Sequence, residues 1–224
     1  MKTSAYLKYF FFIFRYWNIG LAWFTIKHEI RGEKKYKVNT IGIDRLKKLS
    51  VIGDNKAHAS IYQAANYYLL EEAFNFLKEE KATVTVVDFG AGKGRVMAVA
   101  AYYGYPNIKG IEFAPAIAAM AQINVANIQS TFPDTSFTIF KENAVKYSVE
   151  KEDNIFFFFN PFDEVVMLEV VKNILASLRT HPRKVFVVYI NPLHKDIFQS
   201  AGFFEEYYLS IMEYLELSIL TYQH

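Results

Sequence analysis

The chain has 224 residues, of which 52% are hydrophobic and 21% charged, so it is long enough to bury a substantial core and has a globular composition. It contains no cysteine, which excludes a disulfide, a thiolate nucleophile and any metal site built on cysteine. The five histidines are scattered without a His-x-x-x-His pair, and we expect no metal centre.

Positive charge is concentrated near the N-terminus. Residues 1–60 carry twelve Lys and Arg against four Asp and Glu, although the net charge of the whole chain is only +2. The rest of the chain is therefore acidic overall. This asymmetry predicts an anionic partner for residues 1–56, either a membrane surface or a nucleic acid such as RNA.

The first 30 residues contain an aromatic run, residues 6–17, that Arg15 interrupts. The interruption, and the lack of a small-residue cleavage site after it, argue against a secretory signal peptide. As a membrane span the segment is marginal, because Arg15 roughly cancels the favourable transfer of the apolar side chains. A helix of this composition suits the plane of a membrane interface. The alternatives are that it packs on the rest of the protein or pairs with a second copy.

Two segments connect this start to the rest of the chain. Residues 27–56 are expected to form a basic connector with glycine turns. Residues 60–81 predict a helix, with Ser60 as its N-cap and apolar side chains at helical spacing behind it.

The most informative stretch is residues 84–95. Its β-branched start predicts a strand buried on both faces of a parallel sheet, and an alanine-rich helix is predicted from Arg95. Between them lie Asp88 and three glycines, at positions 90, 92 and 94. Such a turn brings backbone N–H groups and a positive helix end close to a ligand, so it predicts a nucleotide-cofactor site; an ordinary tight turn is the alternative. Arg95 occupies the third small position of the dinucleotide fingerprint, which disfavours a nicotinamide-dependent oxidoreductase.

Two further polar residues follow predicted strands. Glu112 ends the strand predicted over residues 108–113, where a carboxylate can accept hydrogen bonds from both ribose hydroxyls of a nucleoside ligand. Asn143 lies in the loop after the strand predicted over residues 136–140. A solvated loop is the alternative there.

A second informative stretch is centred on Asn160-Pro161-Phe162. The five apolar residues before it, 155–159, predict a central strand covered on both faces. The tripeptide therefore falls at the carboxyl end of that strand, where open α/β sheets bind ligands. A β-turn that needs Asn and Pro only for its geometry is the alternative.

The remaining elements complete an α/β pattern. A helix, a strand, a short helix and an aromatic-rich antiparallel hairpin are predicted over residues 163–178, 184–190, 194–201, and 203–209 with 214–221. The expected fold is a doubly wound, mostly parallel seven-stranded sheet with a C-terminal antiparallel hairpin, preceded by an aromatic and basic helical extension.

These features resemble the motifs of the class I S-adenosylmethionine (SAM) dependent methyltransferases, most of all the small bacterial members of unassigned substrate. More loosely, the pattern is similar to the membrane-attached lysine methyltransferases that modify an ATP-synthase ring subunit. The resemblance implies an extension at residues 1–59, a methyltransferase domain at 60–224, and SAM as cofactor. It covers about residues 60–220 and is carried by Asp88, Gly90, Gly92, Gly94, Glu112, Asn143, Asn160, Pro161 and Phe162.

The resemblance also implies a role for each cofactor-binding position. Asp88 would hold the methionine ammonium of SAM, and the three glycines would allow close backbone approach. Glu112 would bind the ribose, and Asn143 would flank the adenine, with Glu142 as the competing choice. Tyr62 lies where some relatives place a cofactor-contacting residue.

Asn160-Pro161-Phe162 resembles a shortened form of the Asn-Pro-Pro-Tyr motif of amino-directed methyltransferases. A nitrogen that attacks the sulfonium methyl must point its lone pair along the S–CH3 bond. The Asn160 side-chain oxygen and the Pro161 carbonyl can accept its N–H bonds and fix that orientation, with the Phe162 ring flanking the acceptor. The implied reaction is methyl transfer to an amine or amide nitrogen of a protein (lysine-type) or small-molecule acceptor.

Two other functions fit the same pattern. The acceptor could be an RNA or DNA base, with residues 1–60 as an RNA-binding arm, or the protein could be an inactive membrane-surface scaffold on this fold. We expect a cytoplasmic protein, peripheral at the inner face of the membrane if the N-terminal segment binds lipid.

Overall fold

The computed structural model describes residues 2–41, 63–80 and 84–223. Two short 3-10 turns, Lys78–Glu80 and Ala144–Lys146, accompany the regular elements. The helices are α1 (Lys2–Tyr16), α2 (Ile19–Tyr36), α3 (Tyr67–Phe76), α4 (Arg95–Tyr102), α5 (Pro115–Gln129), α6 (Glu164–Thr180) and α7 (Lys195–Ser200). The strands are β1 (Thr85–Phe89), β2 (Asn107–Ile111), β3 (Ser136–Phe140), β4 (Asp153–Phe158), β5 (Val185–Ile190), β6 (Phe204–Ile211) and β7 (Leu215–Tyr222).

The strands form one seven-stranded sheet in the order β3-β2-β1-β4-β5-β7-β6. The first five strands along the chain run parallel, and β7 pairs antiparallel with both β5 and β6. This is the predicted fold class, including the C-terminal hairpin. The strand order reverses between β1 and β4, which is where ligands of open α/β sheets bind, at the carboxyl ends of the strands.

Two apolar layers cover the central strands. Phe157 points into the layer under α3, α4 and α5, and its ring stacks on Phe74 at 4.9 Å. Phe158 points into the layer under α6 and α7, with its ring 5.3 Å from that of Phe198. Because successive side chains of a strand face opposite sides, burial on both faces requires the unbroken apolar run seen in β4.

The N-terminal segment folds as two helices. Asn18 caps the second helix, because its Oδ1 accepts a hydrogen bond from Leu21 N at 2.7 Å. α2 continues to Tyr36, so the prediction of a connector from residue 27 was wrong over residues 27–36; residues 42–56 lie outside the described part. No helix in the described ranges has the length and apolar character needed to cross a membrane.

The helix predicted from Ser60 begins later. Residues 63–66 are not helical, and α3 starts after Asn66, whose Oδ1 accepts a hydrogen bond from Tyr68 N at 2.9 Å. Ser60 itself lies outside the described residues. Ser60 and Asn66 are both residue types that favour an N-cap. The helix begins after Asn66 because the apolar residues that pack on the sheet follow directly after it.

Candidate functional site

The carboxyl ends of four neighbouring strands gather the polar residues that the sequence singled out. Asp88 lies next to the last residue of β1, Glu112 directly after β2, and Asn160 two residues after β4. Asn143 follows β3 and caps the 3-10 turn at Ala144–Lys146. The sheet therefore brings residues from four separate sequence motifs to one edge.

The glycine turn has a backbone conformation that favours glycine throughout. Gly90, Gly92 and Gly94 have φ angles of 80°, 56° and 80°, in the left-handed region. The N–H groups of Gly90 and Ala91 both donate to the Ile111 carbonyl at 2.9 Å, which ties the turn to the end of β2. Gly94 then caps α4.

Asp88 and Glu112 are both buried behind this turn, with 4% and 5% of their surfaces exposed. Burial, and after it the charge of Glu112, raises the pKa of Asp88 to about 8. The Glu112 carboxylate accepts hydrogen bonds from Gly92 N at 3.0 Å and Ala114 N at 2.8 Å. Burial raises the pKa of Glu112 as well, and these N–H donors oppose that rise. Ionising two buried carboxyls so close together is unfavourable. A cation bound between the glycine turn and these carboxyls would stabilise their ionised form.

Asn143 is buried, and its Oδ1 accepts a hydrogen bond from Val145 N at 3.1 Å. That bond fixes the amide at the edge of the site, and its place beside an adenine stays a prediction. Tyr62 lies outside the described residues.

Asn160 has a strained backbone and an unsatisfied side chain. Its φ is 40°, and within the described residues its buried Oδ1 accepts no hydrogen bond. Asn191, at the end of the adjacent β5, also has a positive φ of 48°, but its Oδ1 accepts a hydrogen bond from Glu216 N at 3.0 Å. Asn160-Pro161 and Asn191-Pro192 thus both begin with an Asn of positive φ. A hydrogen bond within the protein satisfies the side-chain oxygen of Asn191 but not that of Asn160.

Pro161 and Phe162 take different surroundings. Pro161 lies against the glycine turn, since a Cβ added to Gly90 would be 2.4 Å from the Pro161 Cβ. Phe162 is buried in the apolar layer under α6, with its ring edge-on to Phe158 at 6.3 Å. Pro161 therefore joins the two motifs, whereas the role of Phe162 beside an acceptor stays a prediction.

A buried ion-pair network joins the start of α4 to α2. Arg95 makes a bidentate contact with Glu29, at 2.6 and 2.7 Å, and Glu33 Oε1 lies 3.7 Å from Arg95 Nη2, one of the two nitrogens that bind Glu29. The Arg95 guanidinium also donates to Thr40 Oγ1 at 2.7 Å and lies 4.0 Å over the centre of the Tyr67 ring. Sequence reasoning missed this network. The only signal was a pair of acids four residues apart in an otherwise basic segment.

A cavity of about 150 Å³ lies at the ends of β4 and β5, where Phe159, Ile190 and Asn191 line it. Asn66 lines it, and its Nδ2 is buried without a hydrogen-bond partner in the described residues. The α1 residues on its wall include Tyr9, whose hydroxyl accepts a hydrogen bond from Gln63 Nε2 at 3.0 Å. The cavity is lined by aromatic, aliphatic and amide side chains, among them Tyr9, Trp17, Gln63, Asn66, Phe159 and Tyr214. Sequence reasoning did not foresee that α1 would form part of this wall.

No protein-family model and no curated protein matched the sequence. Solved structures did match the fold. The chain resembles yhhF from Escherichia coli, which has been assigned as a methyltransferase, with a TM-score of 0.55 and 15% identity over 82% of this chain and 99% of that one. It resembles the ribosomal protein L11 methylase from Lactobacillus delbrueckii subsp. bulgaricus with a TM-score of 0.55 and 13% identity, over 72% and 81% of the two chains.

A third structure is the magnesium protoporphyrin IX methyltransferase ChlM from Synechocystis PCC 6803, which was solved with bound SAM. Its TM-score is 0.50 and its identity 13%, over 69% of this chain and 77% of that one. At such identities the likeness is one of fold, and it agrees with the strand order and the antiparallel hairpin described above. The chain therefore has the fold of the class I SAM-dependent methyltransferases.

Proposed function

We propose that this protein is a SAM-dependent methyltransferase that methylates an amine or amide nitrogen, with the lysine side chain of a protein as the favoured acceptor. The observation that carries the acceptor assignment is the buried, unpartnered Oδ1 of Asn160 beside the glycine turn. A buried acceptor atom without a donor is costly, and a bound N–H group would satisfy it.

The residues around the glycine turn fit SAM. The buried Asp88 carboxyl, with its pKa raised to about 8, suits a ligand ammonium that restores its charge. Gly92 N and Ala114 N already donate to the Glu112 carboxylate, which keeps acceptor capacity for a ribose hydroxyl. When bound, SAM supplies an electrophilic methyl group on sulfur.

The chain itself supplies orientation at the acceptor side. Asn160 Oδ1 and the Pro161 carbonyl would accept the N–H bonds of the attacking nitrogen, leaving its lone pair directed at the methyl group. Gly90 and Pro161 are in contact, so any ligand held by the glycine turn lies close to these two acceptors. A fixed approach of this kind lowers the entropic part of the barrier.

The size and lining of the cavity favour a slender amine. A cavity of about 150 Å³ holds a molecule the size of benzene, so this cavity, which Phe159 lines one residue before Asn160, suits about six heavy atoms. A butylamine chain such as that of lysine fits this volume. The rings of Tyr9, Trp17 and Tyr214 would also attract an approaching ammonium group.

The test is transfer of tritium from methyl-labelled SAM into a cell extract separated into membrane, soluble-protein, RNA and small-molecule fractions. The Asn160→Gly variant removes the side-chain amide, and glycine tolerates the positive φ of this position. The control is Glu213→Gly in the β6–β7 turn, which places glycine at another residue with positive φ, 63°. We expect label in a protein fraction with the wild type and with Glu213→Gly, and a loss of about a hundredfold with Asn160→Gly.

Other results would redirect the assignment. Label in RNA that is lost with Asn160→Gly would replace lysine with a nucleic-acid base. Full transfer by Asn160→Gly would remove the acceptor-orienting role of Asn160. SAM binding without label in any fraction would favour an inactive scaffold.

A further inference from the structure

The helical hairpin formed by α1 and α2 presents one apolar face to solvent. On α1, Leu7, Phe11 and Phe14 are exposed at i, i+4 and i+7 spacing. On α2, Ile19, Trp23 and Ile30 are exposed with the same helical period. We call these six residues the hairpin face. Phe11 is 61% exposed and Trp23 63%, which is unusual for large apolar side chains that lie together.

Ring contacts make the hairpin face continuous across the two helices. Phe10, which is half-buried, lies 5.6 Å from the ring of Phe11 and 6.4 Å from that of Phe14 on its own helix. It also lies 5.0 Å from Trp23 on α2. The exposed side chains of both helices therefore belong to one surface.

The opposite side of the hairpin is packed. Tyr9 and Ile13 of α1 are buried against Leu21, Ala22 and Ile26 of α2. α2 is in turn fixed to α4 through the contacts of Glu29 with Arg95. The hairpin face is thus exposed on a well-packed element, and helix packing has already used the other side.

The charges around the hairpin face are of one sign. Glu29 and Glu33 are the only acids in residues 2–41, and both are buried around Arg95. The charged side chains that α1 and α2 expose are therefore all basic: Lys8, Arg15, Lys27, Arg31, Lys34 and Lys35, of which Arg31 and Lys35 pair with Glu71 of α3. Lys27 and Lys34 follow Trp23 at i+4 and i+11, so they border the same stripe.

We propose that the hairpin face docks on the surface of an anionic lipid bilayer, with α1 and α2 lying in the interface plane. Aromatic and aliphatic side chains bordered by lysine and arginine match the acyl boundary and the anionic headgroups respectively. A second copy of the chain would bring like charges together, and RNA offers no apolar surface for Leu7, Ile19 and Ile30. This binding does not depend on the proposed methyl transfer.

The two tryptophans of the chain, Trp17 and Trp23, both lie in the hairpin and give a direct signal. The full-length protein is mixed with vesicles of phosphatidylcholine, alone or with phosphatidylglycerol, and the bound fraction is measured by flotation. We expect binding that requires phosphatidylglycerol, weakens with salt and shifts the tryptophan emission to the blue.

Variants distinguish binding through the hairpin face from nonspecific hydrophobic binding to vesicles. Phe11→Ser with Phe14→Ser keeps both tryptophans and should reduce binding at least about tenfold. Ile123→Ser on α5 removes an equally exposed apolar side chain, 62%, and should bind as the wild type does. Circular dichroism checks that each variant is folded, and Lys8→Gln with Arg15→Gln should weaken the salt dependence.

Three results would overturn the proposal. The wild type could fail to bind phosphatidylglycerol vesicles, or the double-serine variant could bind as well as the wild type. Sedimentation could also show a dimer that only the double-serine variant loses, which would assign the hairpin face to a second copy of the chain.

Discussion

Pro161 fills the space that a side chain on Gly90 would need, with 2.4 Å between the Pro161 Cβ and a Cβ placed on Gly90. This contact joins the turn after β1 to the turn after β4. The first is the proposed cofactor-binding turn and the second the proposed acceptor-orienting turn. We therefore expect a change in either turn to alter the other.

The Gly90→Ala variant tests this coupling. Alanine meets both the left-handed φ of 80° and the Pro161 side chain, so we expect lower stability and impaired SAM binding. Gly104→Ala is the matched control, because Gly104 has φ 87° and an added Cβ there has no neighbour within 4 Å. In Gly104→Ala, the left-handed backbone alone should lower the free energy of unfolding by ~1–2 kcal/mol, as measured in urea. The loss in Gly90→Ala should be larger. Equal losses in the two variants would show that the contact with Pro161 is unimportant.

The raised pKa of Asp88 predicts how stability without ligand depends on pH. The unfolded state loses the proton near the ordinary value of 3.8, and the folded state keeps it up to about 8. Between these values the folded state binds more protons, so this group makes stability fall as pH rises, by at most ~1.4 kcal/mol per pH unit. In Asp88→Asn that part of the fall should be absent, as urea midpoints between about pH 5 and pH 8 would reveal. An unchanged slope would contradict the raised pKa.

SAM binding should release a proton at neutral pH. The ligand ammonium favours the ionised Asp88 carboxyl, which carries a proton before binding. Calorimetry in buffers of different ionisation enthalpy counts this proton, and we expect roughly one for the wild type and none for Asp88→Asn. Proton release that persists in the variant would point to another group.

Replacing Glu112 should affect the cofactor more than the fold. Glu112→Ala removes the acceptor of the Gly92 and Ala114 N–H groups as well as the proposed ribose contact. We expect a loss of ~1–3 kcal/mol in stability and at least about a hundredfold weaker SAM binding. Calorimetry well below the unfolding midpoint of the variant separates the two effects. Retained affinity would refute the ribose assignment.

Breaking the buried contact of Glu29 with Arg95 should be strongly destabilising, because it leaves a buried charge without its full partner. Glu29→Gln leaves a guanidinium with less than its full partner charge in a buried site, and we expect a loss of ~3–5 kcal/mol. Glu169→Gln makes the same chemical change in an exposed pair with Lys172, where we expect less than ~0.5 kcal/mol. Similar losses at both positions would show that water reaches Arg95.

The sheet could be predicted because its signals are local. The apolar runs of β1 and β4 require burial on both faces, and the alternation in β6 fits an edge strand with one exposed face. β7 alternates less, and its residues 217–221 are all buried. The ends of these strands then place Asp88, Glu112 and Asn160 at a common edge. Fold topology fixes that edge, so sequence position was enough to identify it.

The N-terminal part could not be predicted in the same way, because its structure depends on distant residues. Arg95 was interpreted only as a departure from the dinucleotide fingerprint. In the structure its partner Glu29 lies 66 positions earlier, and no local pattern pairs them. For the same reason, α2 resembled a basic connector. Glu29 and Glu33 are polar in the sequence, and only their contact with Arg95 in the structure explains why this face of α2 is buried.

The contact of Glu29 with Arg95 has a consequence for synthesis of the chain. Until residue 95 has left the ribosome, Glu29 and Glu33 lack the cation that permits their burial, and α2 cannot take its final place. Translation adds about 5–20 residues per second, so the apolar side chains of the aromatic N-terminus stay exposed for several seconds before Arg95 is available. We therefore expect the nascent chain to bind chaperones or lipid before its β-sheet has formed.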